Sequence, residues 1–250
     1  VALQNAKNSG SAKHNFFRMM LEHQDDYVML CDQDDVWLPD KIERTLFAME
    51  KAEEQAGKET PVLVHTDLTV VDEDLRVLAS SYRHTVNGNW QRTALHWELA
   101  QNTVTGCTAM YNRALGDLLQ DEPSFFVMHD WWLALTASAF GLIVPLDEAT
   151  ILYRQHGDNA VGAKFVRSPR YLLRRLFDVK GYRKELAETF LQSESFYDAF
   201  RDRLSPEQRA LTAGYGSLSQ AGWLRRRWFQ LKNRTVKYGV VKKAAGFLFG

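Results

Sequence analysis

The chain is 250 residues long, 45% hydrophobic and 12% aromatic, so it can build a core and is not a disordered or low-complexity protein. Lysine plus arginine equals aspartate plus glutamate at 31 each, and this balance selects no nucleic-acid or acidic partner. The two cysteines, Cys31 and Cys107, are too few for a disulfide scaffold and point to a reducing compartment.

The neutral total hides a polarity along the chain. Residues 1–163 carry 12 basic and 24 acidic side chains, whereas residues 164–250 carry 19 and 7. From Gln220 onward there are eight basic residues and no acid. This asymmetry predicts two regions, 1–163 and 164–250. The longest charge-free run tested for a membrane span, Trp131–Leu146, has sixteen residues and contains Gly141 and Pro145. A span needs ~20. The chain begins with Val1 rather than methionine, which suggests missing upstream sequence.

In chain order, Ser11 caps a helix to about His23, with Phe16, Phe17, Met20 and Leu21 on its apolar face. Tyr27–Cys31 has strand length and ends in Asp32-Gln-Asp-Asp35. Pro39 suits the first turn of a helix to about residue 56, in which Ile42, Leu46 and Met49 recur at helical spacing. Strands are expected at 61–65, 68–71 and 75–78, with a turn at Asp72-Glu-Asp74. A helix around 92–100 leads to a strand over 103–111, broken at Gly106. Residues 113–120 and 130–140 read as helices, 142–145 and 150–153 as strands. The alternation predicts an α/β sheet with helices on its faces, and after Ser168 the pattern is wholly helical.

Three places carry chemistry. Asp32, Asp34 and Asp35 stand at the end of an apolar strand, where open α/β sheets bind ligands. Clustered carboxylates suit a hard cation such as Mg²⁺ or Mn²⁺, or else form a solvated turn. Asp130, after His129 and before Trp131-Trp132, is a helix cap, a general base, or both. His156 follows a strand and is either a loop residue or a ligand. Between them, Gly106 marks a close backbone approach.

Six segments then form an ordered series: Asn8-x-Gly10-x-Ala12-x-x-Asn15-Phe16, Cys31-Asp-Gln-Asp-Asp-Val-Trp-Leu-Pro-Asp-Lys-Ile42, His65-Thr-Asp67, Thr105-Gly-Cys107, His129-Asp-Trp131 and Tyr153-Arg-x-His156-x-x-Asn159. Over residues 5–160 this series resembles family 2 glycosyltransferases, of the rhamnosyltransferase-like kind that builds bacterial surface polysaccharides such as O-antigen. The resemblance implies a GT-A fold, here as an incomplete Rossmann-like mixed sheet. It implies inverting transfer of a sugar, rhamnose among the candidates, from a nucleotide-diphosphate donor to a saccharide or lipid-linked acceptor. It makes Asp32 and Asp34 the DxD pair around Mn²⁺ or Mg²⁺, with His156 completing the metal site and Asp130 as catalytic base. It places Asp35, Trp37, Asp67, Gly106, Cys107, His129, Trp131, Arg154 and Asn159 around donor and acceptor. The opening strands of that family's plan, with their Asp-Asp-Gly-Ser-type loop, have no counterpart here. The chain is therefore expected to be N-terminally incomplete.

Two rivals remain. Met29-Leu-Cys-Asp32-Gln-Asp34-Asp-Val36 also fits the nucleophile motif of haloacid-dehalogenase-type phosphohydrolases, but their later Gly-Asp-x-x-x-Asp-type motif is missing. A non-catalytic, membrane-associated remnant of a transferase is the other. In the basic tail, Trp223 and Trp228 flank Arg225, Arg226 and Arg227, which predicts docking on an anionic membrane surface. Nucleic-acid binding and a merely solvated helical appendage are the alternatives. Docking on the inner face of the bacterial membrane, without nucleic acid, agrees best with a lipid-linked acceptor.

Overall fold

The computed structural model describes residues 8–22, 25–86, 88–155 and 178–239. Helix α1 (Ala12–Glu22) follows a tight turn in which the Gly10 N–H donates to the Asn8 side chain at 2.9 Å. Gly10 has φ +80°, the left-handed conformation that glycine adopts without strain. Strand β1 (Tyr27–Met29) then leads through the acidic loop to the two-residue β2 (Val36–Trp37). Helix α2 (Lys41–Ala56) starts after Asp40, so Pro39 lies just before the helix rather than in its first turn.

The second and third expected strands are one, β3 (Val62–Val71), buried along nearly its whole length. In its polar centre, His65-Thr-Asp67, Thr66 bonds Thr150 and Asp67 accepts from Ser81 and two backbone N–H groups, while His65 Nε2 is buried without a hydrogen-bond partner. β4 (Val77–Ala79) pairs with β3, and the short helices α3 (Tyr82–Val86) and α4 (Leu95–Glu98) follow. Only a turn of 3₁₀ helix at Gly106–Thr108 and a short β5 (Ala109–Asn112) form where a longer broken strand was expected. α5 (Arg113–Gly116) and α6 (His129–Phe140) lead to β6 (Leu142–Arg154), one continuous strand. It runs on through 146–149 because it pairs with β3 from Val62 to Val71, with register shifts around Asp67.

The described strands form a mixed sheet in the order β1-β5-β3-β6-β2, with β4 beside β3. Only β3 and β6 pair in parallel. Two helices of the C-terminal region, α7 (Val179–Phe200) and α8 (Pro206–Gly216), follow among the described residues, and then α9 (Trp223–Lys232). A capping box on Ser205 and Gln208, with Pro206 in the first turn, starts α8.

The regions on either side of the charge boundary share one core. α6 is apolar around most of its circumference and packs the sheet on one side and α7 on the other. The Trp132 ring lies 5.4 Å from Phe196 and 6.2 Å from Phe200, and Phe140 lies 5.2 Å from Phe200. Polar contacts lock the same seam: Val127 N–H donates to Gln192 at 2.8 Å, and Gln208 donates to the Ala139 carbonyl at 2.6 Å.

Candidate active site

The acidic loop leaves β1 beside β5 and turns at Gln33-Asp34. A turn brings its two flanking residues together. Asp32 and Asp35 therefore meet, and with Cys107 their ligand atoms all lie within 4.8 Å of one another. Asp34 is not part of this trio. Its backbone carbonyl accepts from the Arg154 guanidinium at 3.1 Å. Arg154, at the end of β6, also donates its N–H to Asp35 at 3.3 Å and a guanidinium N–H to the Glu73 carbonyl at 3.1 Å. One side chain thus ties the acidic loop to the far end of the sheet.

Burial raises both carboxylic acids, Asp35 to about 6, and neighbouring carboxylates add to the effect. One Asp35 oxygen, Oδ2, is buried without a partner. Two half-buried, mutually repelling carboxylates with an unused oxygen fit a cation. The donor chemistry selects a hard one: burial keeps the Cys107 thiol protonated well above its usual range, so it does not compete as a thiolate.

Lys41 was not singled out by sequence. It is fully buried at the start of α2, with Nζ 5.0 Å from the Trp37 ring and no hydrogen-bond partner. Burial lowers it to about 8, against the pull of Cys107, Cys31 and Asp35. A cation at a helix N-terminus opposes the macrodipole, and that misfit was the available signal.

Across the trio stands the start of α6. Asp130 is not its cap; Met128 occupies that position. The buried Asp130 carboxylate accepts from the Gly106 N–H at 2.9 Å and from the Trp131 N–H at 2.7 Å. Burial raises its pKa, opposed first by His129 and then by these N–H groups. His129 stacks on Phe16 at 4.4 Å and feels the charges of both Asp130 and Asp32, so it links the base candidate to the acidic loop. Gly106 is required here, since an added Cβ would lie 2.8 Å from His129 Nε2. Trp131 donates its indole N–H to the Glu98 carbonyl at 2.7 Å.

The chain is similar to dTDP-rhamnosyl transferase RfbG of Shigella flexneri, 25% identical over 201 residues that cover 74% of this chain. It is a distant relative of a rhamnosyl transferase. The chain spans 63% of that relative's length. No family model matches it.

The remaining sequence candidates divide. Trp37 joins the trio's rim, packed with Leu68, Val70, Cys107 and Ile151. Asp67 is committed elsewhere: its carboxylate accepts from Ser81, Leu68 N–H and Arg83 N–H and anchors the start of α3. His156 and Asn159 lie outside the described residues. Of the arginine triplet, only Arg225 is exposed. Arg227 is buried, and Arg226 donates to the Leu218 and Ser219 carbonyls at 2.9 and 3.1 Å. Three consecutive helical residues spread over about 200°, so the triplet cannot share one face.

Proposed function

We propose that this chain is the catalytic part of a metal-dependent, inverting glycosyltransferase of the rhamnosyltransferase-like kind, with a GT-A-like fold. It would move a sugar from a nucleotide-diphosphate donor to a saccharide or lipid-linked acceptor in surface-polysaccharide synthesis, at the inner face of the membrane. The observation that carries this reading is the seating of Asp130: a buried carboxylate with a raised pKa, held by two backbone N–H groups and coupled through His129 to Asp32. The distant likeness to a dTDP-rhamnosyl transferase supports it.

Asp32 and Asp35 would hold Mg²⁺ or Mn²⁺, with Asp34 and His156 as the further ligands that the motif resemblance suggests. Such an ion, when bound, offsets charge on the departing diphosphate. The protein's own groups do the rest. Arg154 keeps the acidic loop in place, and Gly106, lacking a Cβ, lets His129 and Asp130 pack against its backbone. Asp130 takes the proton from the acceptor hydroxyl as that oxygen attacks the anomeric carbon. Its raised pKa moves it toward the neutral range in which a general base is effective.

Incubation of the protein with dTDP-rhamnose, a saccharide acceptor and Mn²⁺ tests this, with dTDP release as the readout. Release should require the divalent ion and should fall when Asp130 is replaced by Asn. Undiminished release in excess EDTA sinks the metal assignment. Failure to bind or turn over any nucleotide-sugar in the presence of Mn²⁺ returns the chain to a non-catalytic role.

A further inference from the structure

Helix α9 is built inside out. Its two most deeply buried residues are polar, Arg227 only 8% and Gln230 only 5% exposed, beside the half-buried Phe229. Its outward residues are large and apolar: Trp223 is 45% exposed, Trp228 62%, Leu231 65% and Leu224 75%. Leu224, Trp228 and Leu231 recur at the i, i+4, i+7 spacing of a single helical stripe, with Trp223 beside them.

This orientation is fixed by packing. Phe229 seats over Gly214 of α8 so closely that an added Cβ would lie 2.5 Å from its ring. Arg226 is held by the Leu218 and Ser219 carbonyls and lies 5.7 Å from the Phe190 ring. Rolling the helix to hide the tryptophans would break these contacts and drive Leu224 and Trp228 against groups now satisfied by arginine. The apolar stripe therefore faces outward as part of the fold.

The surroundings of the stripe select its occupant. Arg225, Lys232 and Arg234 are exposed, and residues 220–239 contain no acid. Lys232 Nζ lies over the Trp228 ring, 4.7 Å from its centre. Two copies joined symmetrically through this patch would bring these cations onto one another. A surface that is negative at the rim and apolar beneath satisfies both features, and that is the description of an anionic bilayer.

We propose that α9 is an interfacial helix that inserts Trp223, Leu224, Trp228 and Leu231 into anionic lipid, with Arg225, Lys232 and Arg234 at the headgroups. The proposal deepens the membrane placement in the transferase reading and rests on it for the reason to dock. It relocates the docking face from the arginine triplet to the stripe that the triplet interrupts. Among the described residues no helix is long and apolar enough to cross a membrane, so attachment by this face is peripheral.

The test is co-sedimentation of the whole protein with vesicles of phosphatidylcholine alone and of phosphatidylcholine with phosphatidylglycerol. Wild type should bind the anionic vesicles, with a blue shift of tryptophan emission, and should bind neutral vesicles far less. The exposed double substitution Trp228→Gln with Leu231→Gln should weaken binding by about tenfold or more while leaving the melting temperature unchanged. Arg225→Gln with Lys232→Gln should remove most of the preference for anionic lipid and its salt sensitivity. No binding to either vesicle overturns the proposal, as does equal binding to both, or full binding by the Trp228/Leu231 variant. A dimer in solution that this variant dissolves also overturns it, by showing that a second copy covers the stripe. Donor turnover with a water-soluble acceptor separates the two readings: vesicle binding without turnover supports the docking face and counts only against the transferase.

Discussion

Asp130 Oδ2 accepts a hydrogen bond from the Gly106 N–H at 2.9 Å, while Oδ1 takes the N–H of Trp131 at 2.7 Å. Both oxygens are thus occupied by backbone of different elements, the 3₁₀ turn and the first turn of α6. Replacing Asp130 with Asn leaves one oxygen for two buried donors, and the amide would face a like donor. The variant should therefore lose about 1–3 kcal/mol of stability, the cost of one unpaired buried group. It should also lose at least ~10²-fold in kcat, the usual scale for a missing general base. Calorimetry and donor turnover measure the two effects separately, and a near-normal rate with lowered stability would make Asp130 purely structural.

Asp35 titrates at about 6, raised chiefly by burial. A cation and a proton compete for the same carboxylate, so Mn²⁺ affinity should climb as pH rises from 5 to 7 and level off above. Asp35→Asn should weaken Mn²⁺ binding and flatten that climb. Titration calorimetry at several pH values checks both, and a pH-independent affinity in wild type would remove Asp35 from the ion site.

Arg154 reaches the Asp34 and Glu73 carbonyls with one planar fork. Lysine keeps the charge but has no fork, so Arg154→Lys should loosen the acidic loop without emptying it of positive charge. The expected result is a Mn²⁺ affinity lower by about tenfold or more, as for other groups that orient ligands from behind. The backbone bond from residue 154 to Asp35 survives the substitution. Unchanged affinity would show that the loop holds its shape without the guanidinium.

Glu98 is fully buried, with Oε2 unpartnered and Oε1 accepting from the Thr103 hydroxyl. Burial raises it from 4.5 to about 8. Between those values the folded protein binds more protons than the unfolded chain, so stability falls as pH rises through this window. Glu98→Gln keeps an acceptor for Thr103 and removes the charge. Its melting temperature should match or trail wild type at pH 5 and exceed it at pH 8. A constant difference across that range would place the titration elsewhere.

The runs that the sequence marks are short and local. The Asp32–Asp35 run and His129-Asp-Trp131 each mark a strand end or a helix start, and the charges of Asp32 and Asp130 both act on His129. Which carboxylates meet was not readable from the pattern. Asp32 and Asp34 would share a side only in an extended chain, and the turn at Gln33-Asp34 pairs Asp32 with Asp35 instead. Composition likewise marked the tail as basic and aromatic but could not orient it. The core contacts of Phe229 and Gly214 set that orientation, and they lie in different helices.

The shared core also governs how the molecule comes apart. Trp132 and Phe140 of α6 owe their burial to Phe196 and Phe200, which lie far along the chain. The sheet should therefore reach its final packing only once α7 has docked, and the two regions should melt in a single transition. A protein shortened to its acidic half would keep Asp32, Asp35 and Asp130 and still present a raw aromatic wall to its neighbours. Such a fragment would collect as aggregate before its chemistry could be assayed.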